Sequence, residues 1–320
     1  MANPRVLVVG GGIGGLCLAH GLVQAGIDVQ VAERTHARTD WVQGYRIHID
    51  PDGSRALHAC LPTASWARFC DTVSDEAAIF SFRTEQLAPL LVTDAEQPDD
   101  PVGQHHGISR IALREVLLDG LADVVAFGRE FERYETLSDG RVRARFADGT
   151  TTEADLLVGA DGANSRVRGQ LLPHARRLDT GVTTIAGKHP LVRDDGRRAD
   201  DRLPPELLAG PTTVLPPGRG GMFTAVWRGG PPPPPRTQQG GNPPPGAPQG
   251  APAATAGTAP AGAPGFLFDT TTDYVFWAYA DATAAFPPLD GLAGPKLTAV
   301  VADKITRWAP GLRQLVAGSA

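Results

Sequence analysis

Cysteine, methionine and aromatic residues are scarce in this 320-residue chain: three Cys, two Met, and 6% Phe, Trp and Tyr together. Cys17, Cys60 and Cys70 form an odd set without metal-type spacing, which argues against a disulfide framework and fits a reducing compartment. No run is long and apolar enough to span a bilayer, and the N-terminus lacks a charged segment followed by a cleavable apolar one. The expectation is a soluble cytoplasmic protein with no integral membrane segment. Positive charge is not in excess either: a formal net charge of -5 argues against a nucleic-acid partner. No G-x-S-x-G elbow occurs, and the adjacent His105 and His106 have no third ligand spaced to complete a metal site. Neither a catalytic triad nor a bound metal is expected.

Glycine is plentiful, and its placement near the N-terminus organises the chain. Arg5 to Val9 is a short apolar, β-branched run ending in glycine, the pattern of a buried parallel strand. Gly10, Gly12 and Gly15 then fall on G-x-G-x-x-G, Ile13 to Ala25 has apolar residues at helical spacing, and Gly26 ends it. A second strand, Asp28 to Ala32, leads into Glu33, roughly twenty residues past the glycines, as a dinucleotide site requires. Gly10 permits the tight turn, Gly12 lets the backbone approach a pyrophosphate, and Gly15 lets the helix pack on the strand. The helix N-terminus, at Ile13 and Gly14, presents N–H groups to phosphate. Glu33 can accept hydrogen bonds from a ribose 2′-hydroxyl, with Arg34 beside it.

Downstream, Tyr45, Ile47 and Ile49 alternate with Arg46 and His48, predicting a half-exposed strand closed by a Pro51-Asp52-Gly53 turn before a helix over Ser54 to Leu61. His48 is either an ordinary strand histidine or a ligand contact, and Arg46 could reach an anionic ligand. Ile79 to Phe82 and Leu90 to Thr93 read as strands of a separate small sheet. In ISRIALREVLLDGL, Ser109 is an expected N-cap, with Leu113, Val116 and Leu117 facing inward. Arg110 lies in the first turn, where the helix dipole disfavours a cation; it is either simply exposed or aimed at an anion. Val124 to Phe127, Phe131 to Leu137 and Val142 to Phe146 predict a three-strand meander. ADLLVGADGANSRVR predicts a buried strand over Leu156 to Val158, a turn over Gly159 to Gly162, and a helix capped by Asn164 or Ser165. Asp161 emerges at the carboxyl end of that strand, where open α/β sheets place ligands, or merely closes an Asp-Gly turn.

GGGIGG with Glu33, SRIAL with Arg110 and LLVGADGANSRVR, in this order, resemble the single-component FAD-dependent aromatic hydroxylases, the para-hydroxybenzoate hydroxylase-like flavoprotein monooxygenases. The resemblance covers roughly residues 5 to 190. It implies an α/β (α+β overall) fold in which a Rossmann-like three-layer FAD-binding domain is interleaved with an antiparallel β-sheet substrate domain. It implies cofactor roles for Gly10, Gly12, Ile13, Gly14, Gly15, Glu33, Arg34, Arg110, Asp161, Gly162 and Arg168. Gly44, Arg46 and His48 become candidates for the substrate or flavin ring. FAD would be the cofactor, NADH or NADPH the co-substrate, and a small aromatic or polyketide-like molecule and O2 the partners; the oxygen would come from a flavin C4a-hydroperoxide, so no catalytic side chain is expected.

On this resemblance, residues 1–75 and 103–178 would form the FAD domain, 76–102 and 179–290 the substrate domain, and 291–320 a helical return segment. Strands over Thr183 to Ala186, Thr212 to Leu215, Met222 to Trp227 and Phe266 to Ala280 would build the substrate sheet, with Tyr274, Phe276, Trp277 and Tyr279 on its inner face. Leu297 to Trp308 would be helical. Residues 229–265 are almost all Pro, Gly, Ala, Gln and Thr, expected to be a disordered insertion or a proline-rich docking ligand. The family's Gly-Asp fingerprint has no match, since no Gly-Asp dipeptide occurs. The resemblance therefore implies a chain truncated at its C-terminus. The alternatives are a non-catalytic nucleotide-binding remnant and an FAD-dependent reductase or halogenase on the same scaffold.

Overall fold

Strand β1 (Arg5–Val9) buries four consecutive apolar side chains because both of its faces are covered. Val6 and Val8 point into one apolar cluster, Leu7 and Val9 into another. The computed structural model describes residues 3–36, 46–74, 79–94, 99–191, 202–228 and 273–319. The proposed insertion at 229–265 and candidate Gly44 lie outside them.

Helix α1 (Ile13–Gln24) follows and ends at Ala25, with Gly26 in the left-handed region at φ 69°. After β2 (Asp28–Glu33) and β3 (Arg46–Ile49) comes α2 (Pro51–Cys60). The Pro-Asp-Gly segment expected as a turn is the first turn of this helix. Asp50 is its N-cap, accepting from the Gly53 N–H at 2.7 Å, and proline suits the first helical position. The unanticipated α3 (Thr63–Thr72) buries Phe69. Then come β4 (Ile79–Arg83), β5 (Pro89–Asp94), β6 (His106–Ser109), α4 (Arg110–Leu118), β7 (Val125–Phe127), β8 (Phe131–Thr136), β9 (Val142–Phe146), β10 (Thr151–Ala154), β11 (Leu156–Gly159) and α5 (Arg166–Leu171). The described chain closes with β12 (Val182–Pro190), α6 (Pro205–Leu208), β13 (Thr212–Val214), β14 (Gly221–Trp227), β15 (Tyr274–Ala282), α7 (Pro295–Lys304) and α8 (Pro310–Ala317).

The first layer system has a parallel sheet in the order β11-β1-β2-β7. Leu16, Phe69, Leu113 and Leu117 cover one face, from α1, α3 and α4. Phe131, Ala144 and Phe146, from a β10-β9-β8 meander, and Val167 of α5 cover the other. The meander is thus β8 to β10; the Val124 to Phe127 segment expected to open it pairs instead with β2. A short apolar strand has no local signal for its partner. Nor is β11 the buried strand expected. It lies at the sheet edge among the described residues, with Leu156 55% exposed.

The second system is a six-stranded sheet, β12-β15-β14-β13-β4-β5. The β4–β5 hairpin, expected as a separate sheet, joins it through a parallel pairing of β4 with β13. Alternation along β15 divides its aromatics. Trp277 and Tyr279 pack with Leu312 and Leu315 under α7 and α8, whereas Tyr274 and Phe276 lie on the opposite face. The helix expected over Leu297 to Trp308 ends at Lys304, and α8 follows it. Asp281, buried, accepts from the Tyr279 hydroxyl at 3.3 Å and faces Lys304 Nζ at 3.6 Å; Lys304 also donates to Ala285 O at 2.6 Å. Burial, reinforced by Asp281, pushes the Tyr279 phenol up to about 12.

Two buried histidines clasp helices: His20 Nε2 donates to Leu117 O at 2.9 Å, and His189 Nδ1 bonds Leu315 O at 3.0 Å. Burial holds both below the ordinary imidazole value of 6.5, outweighing these bonds. The unfolded chain then takes up protons that the folded one refuses. Stability from these sites is complete above pH 6.5 and is lost as the pH falls below it. Thermal melts from about pH 8 to about pH 5 should show a falling Tm, and His20→Gln should shrink that fall; an unchanged slope in the variant would contradict the assignment. Lys304→Met, which strands the Asp281 carboxylate, should destabilise the fold by about 1–3 kcal/mol in denaturant titrations.

Candidate functional site

The chain turns from β1 into α1 where three backbones converge. Gly10 has φ 112°, its N–H donates to Ala32 O at 2.8 Å, and a Cβ there would overlap the Ala160 carbonyl and lie 2.9 Å from Asp161 Cα. A Cβ on Gly15 would overlap Gly10 O. Only glycine permits this crossing of helix over strand. Gly12 and Gly14 differ, because a Cβ at either would meet nothing within 4 Å. Their open side is at the N-terminus of α1, where no side chain caps the helix. Such a terminus presents donors and a partial positive charge to an anion.

Glu33, at the carboxyl end of β2, is buried and reaches back to this turn. Its Oε2 accepts from the Gly11 N–H at 2.7 Å and its Oε1 from the Thr35 N–H at 2.9 Å. Each oxygen keeps a further lone pair for a hydroxyl donor. Arg34 follows on the wall.

The turn opens onto a cavity of about 350 Å³ between the ends of β1, β2 and β11 and the first turns of α4. Arg110, with Ser109 as N-cap, lies on this wall, and its burial lowers the guanidinium pKa. Arg114, one turn on, shares that face and is itself buried. It was missed in the sequence reading, although its i+4 spacing from Arg110 was the available signal. Arg129 and Arg166 were missed too, because distant pairings bring them here. The Arg129 N–H donates to Glu33 O at 2.8 Å and its guanidinium pairs with Asp148 at 2.9 Å; Arg166 pairs with Glu130 at 2.7 Å. Five arginines against Glu33, Glu130 and Asp161 leave the wall cationic.

Asp161 and Gly162 line the cavity, with Gly162 at φ 78°. The Asp161 carboxylate also accepts from the Ser165 hydroxyl at 2.5 Å and the Arg166 N–H at 2.7 Å, so it orders the start of α5. Arg168 is not on the wall; it donates to Ala163 O at 2.9 Å. Arg46 pairs in register with Ser109, next to Arg110, and shares a face of the β3–β6 ribbon with His48. The His48 and His105 rings stack and share a hydrogen bond at 3.0 Å. Among the described residues no group of three His, Cys, Asp or Glu could hold a metal ion, and no helix is long and apolar enough to cross a membrane.

The chain is similar to known proteins over much of its length. A family described as NAD(P)-binding Rossmann-like domain matches residues 8–71. The 3-amino-4-hydroxybenzoate 2-monooxygenase PtmB3 of Streptomyces platensis is 34% identical over 226 residues, 70% of this chain and 53% of that protein. The dual O-methyltransferase/FAD-dependent monooxygenase elcB of Phaeosphaeria nodorum is 35% identical over 211 residues, 64% of this chain and 21% of that protein. The chain thus spans about half the length of the first and about a fifth of the second. A crystal structure of a protein assigned as an FAD-containing monooxygenase, from Photorhabdus luminescens subsp. laumondii, superposes with a TM-score of 0.79 at 30% identity, covering 99% of this chain and 73% of that one. By that likeness over nearly its whole length, the chain belongs to the FAD-dependent monooxygenases, the flavoproteins that resemble the aromatic hydroxylases.

Proposed function

We propose that this chain binds FAD, with the ADP half in the cavity at the α1 N-terminus, and hydroxylates an aromatic or polyketide-like ring with NADH or NADPH and O2. The observation that carries this reading is the turn itself: glycines without room for a Cβ where chain meets chain, and glycines with open space where a ligand would lie. The residues fit the group. The N–H groups of Gly12, Ile13 and Gly14 would hold the pyrophosphate, Glu33 the ribose, and Arg34, Arg110 and Arg114 would balance its charge. Asp161 and Gly162 would border the ribityl side. Bound FAD supplies hydride acceptance and oxygen activation, which no side chain here provides. The chain's own task is to orient the ring and keep water away from it. Arg46 and His48 share one face of the β3–β6 ribbon, and the pairing of Arg46 with Ser109, next to Arg110, supports assigning them to the ring end of the ligand. The name of PtmB3 records action on a hydroxybenzoate, which supports an aromatic substrate.

Reconstitution with FAD, desalting and quantification of retained flavin tests this reading; a colourless protein would overturn it in favour of a nucleotide-binding remnant. Glu33→Gln should weaken FAD binding by about 1–3 kcal/mol, read as a Kd from flavin fluorescence. The two kinds of glycine should separate. Gly12→Ala should leave stability within about 0.5 kcal/mol yet weaken FAD tenfold or more, roughly 1.4 kcal/mol. Gly15→Ala should destabilise the fold itself by about 2–4 kcal/mol, read by thermal melting without ligand.

A further inference from the structure

The six-stranded sheet has one face under α7 and α8 and another turned away from them, and strand alternation with the ladder register assigns the residues of the second. Phe223 of β14, Ala278 of β15 and Ala186 of β12 stand abreast there; two residues along, Ala225, Phe276 and Lys188 do the same. Phe223, Phe276, Ala278 and Ala186 are half-buried. Among the described residues, neither phenylalanine belongs to the apolar cluster under the helices. Ala278 and Ala186 carry only methyl groups, so side-chain bulk is lowest next to Phe276.

Lys188 is the one charged residue of this block. Lysine is among the types least often fully buried, yet Lys188 has 0% exposure, and its Nζ lies 4.6 Å from the centroid of the Tyr274 ring. Tyr274 is itself fully buried and shares the face of Phe276, two residues along β15. The ring steadies the ammonium. Away from water, that charge acts at low dielectric, where its attraction for an opposite charge is strong. An ammonium has three donors and no acceptor, so the ligand group it selects is an oxygen bearing negative charge. The half-buried rings beside it select a flat apolar body, by offset or edge stacking. Charge and shape together name the occupant.

We propose that Lys188 determines substrate specificity: this face of the sheet takes an aryl carboxylate, its ring over Ala278 beside Phe276 and its carboxylate on Lys188 Nζ. The inference deepens the hydroxylase reading and rests on it for the reaction, whereas binding of the anion uses no flavin.

Isothermal titration calorimetry of the full chain, before FAD is added, tests it with 4-hydroxybenzoate and its neutral counterpart 4-hydroxybenzamide. The carboxylate should bind about tenfold or more tightly than the amide. Lys188→Met should erase that preference, weakening the carboxylate about tenfold while the amide stays within about twofold. Should Lys188→Met fail to fold, the wild-type preference and Ala278→Leu decide. The leucine fills the half-buried place beside Phe276 and should weaken both probes without lowering the Tm. Equal affinities in the wild type, no binding of either probe, unchanged binding in Ala278→Leu, or a preference that survives in Lys188→Met overturns the proposal; in the last case a lowered Tm leaves Lys188 as a core residue that pins Tyr274. Flavin retention is measured separately on the same samples. A chain that holds no FAD yet keeps a Lys188-dependent preference overturns the hydroxylase reading alone, and the reverse pattern overturns the carboxylate site alone.

Discussion

The architecture around the site depends on one crowded crossing, at which α1 leaves the end of β1 directly above the loop that follows β11. Gly10 O, the Ala160 carbonyl and the backbone of Gly15 occupy a space that admits no Cβ. Because protein interiors are close-packed and do not deform smoothly, this contact sets the tilt of α1 on the sheet. That tilt aims the uncapped helix end into the cavity and leaves Gly11 within reach of Glu33. It also places Asp161 at the rim, where its carboxylate orders the start of α5. Turn, acid and second rim are one packing solution.

The cavity is cationic although the chain carries a net charge of -5. Its arginines come from the end of β2, α4, the segment after β7 and α5. Two of them are anchored: Asp148, outside the cavity, holds Arg129, while Glu130 and the Phe131 carbonyl, both on the lining, share Arg166. Arg110 is more desolvated, which lowers its pKa and strengthens its attraction for an anion in a medium of low dielectric. The six-stranded sheet makes a different division. Its helix-covered face holds Trp277 and Tyr279, leaving Tyr274 and Phe276 for the other face.

Much of this was legible in the residues, and the misses have two causes. The β1-α1-β2 unit, the Ser109 cap and the Asp-Gly turn are local, with turn residues and periodicity lying within a few positions of one another. Some errors fall where a segment's identity depends on a distant partner, and others where one local pattern suits two structures. Val125 to Phe127 has the composition of any short strand, and only its pairing with Val31 to Glu33 puts it in the parallel sheet. Pro51-Asp52-Gly53 suits a turn or a helix start; the capping bond from Asp50 selects the helix. Arg168 matched a motif, yet the short α5 turns it toward Ala163 and gives Arg166 the wall.

The sequence by itself determined that a glycine-rich turn would join a buried strand to a helix, and that an acid would end the next strand. These follow from backbone sterics and side-chain period, which act over one or two turns of chain. Only the tertiary structure decided that Glu33 is held by the Gly11 N–H, that Arg114, Arg129 and Arg166 join Arg110 on one wall, and that the Cys60 side chain sits against Gly21. Such juxtapositions depend on sheet order and on how closely helices approach, and both are set by packing between residues far apart in the chain.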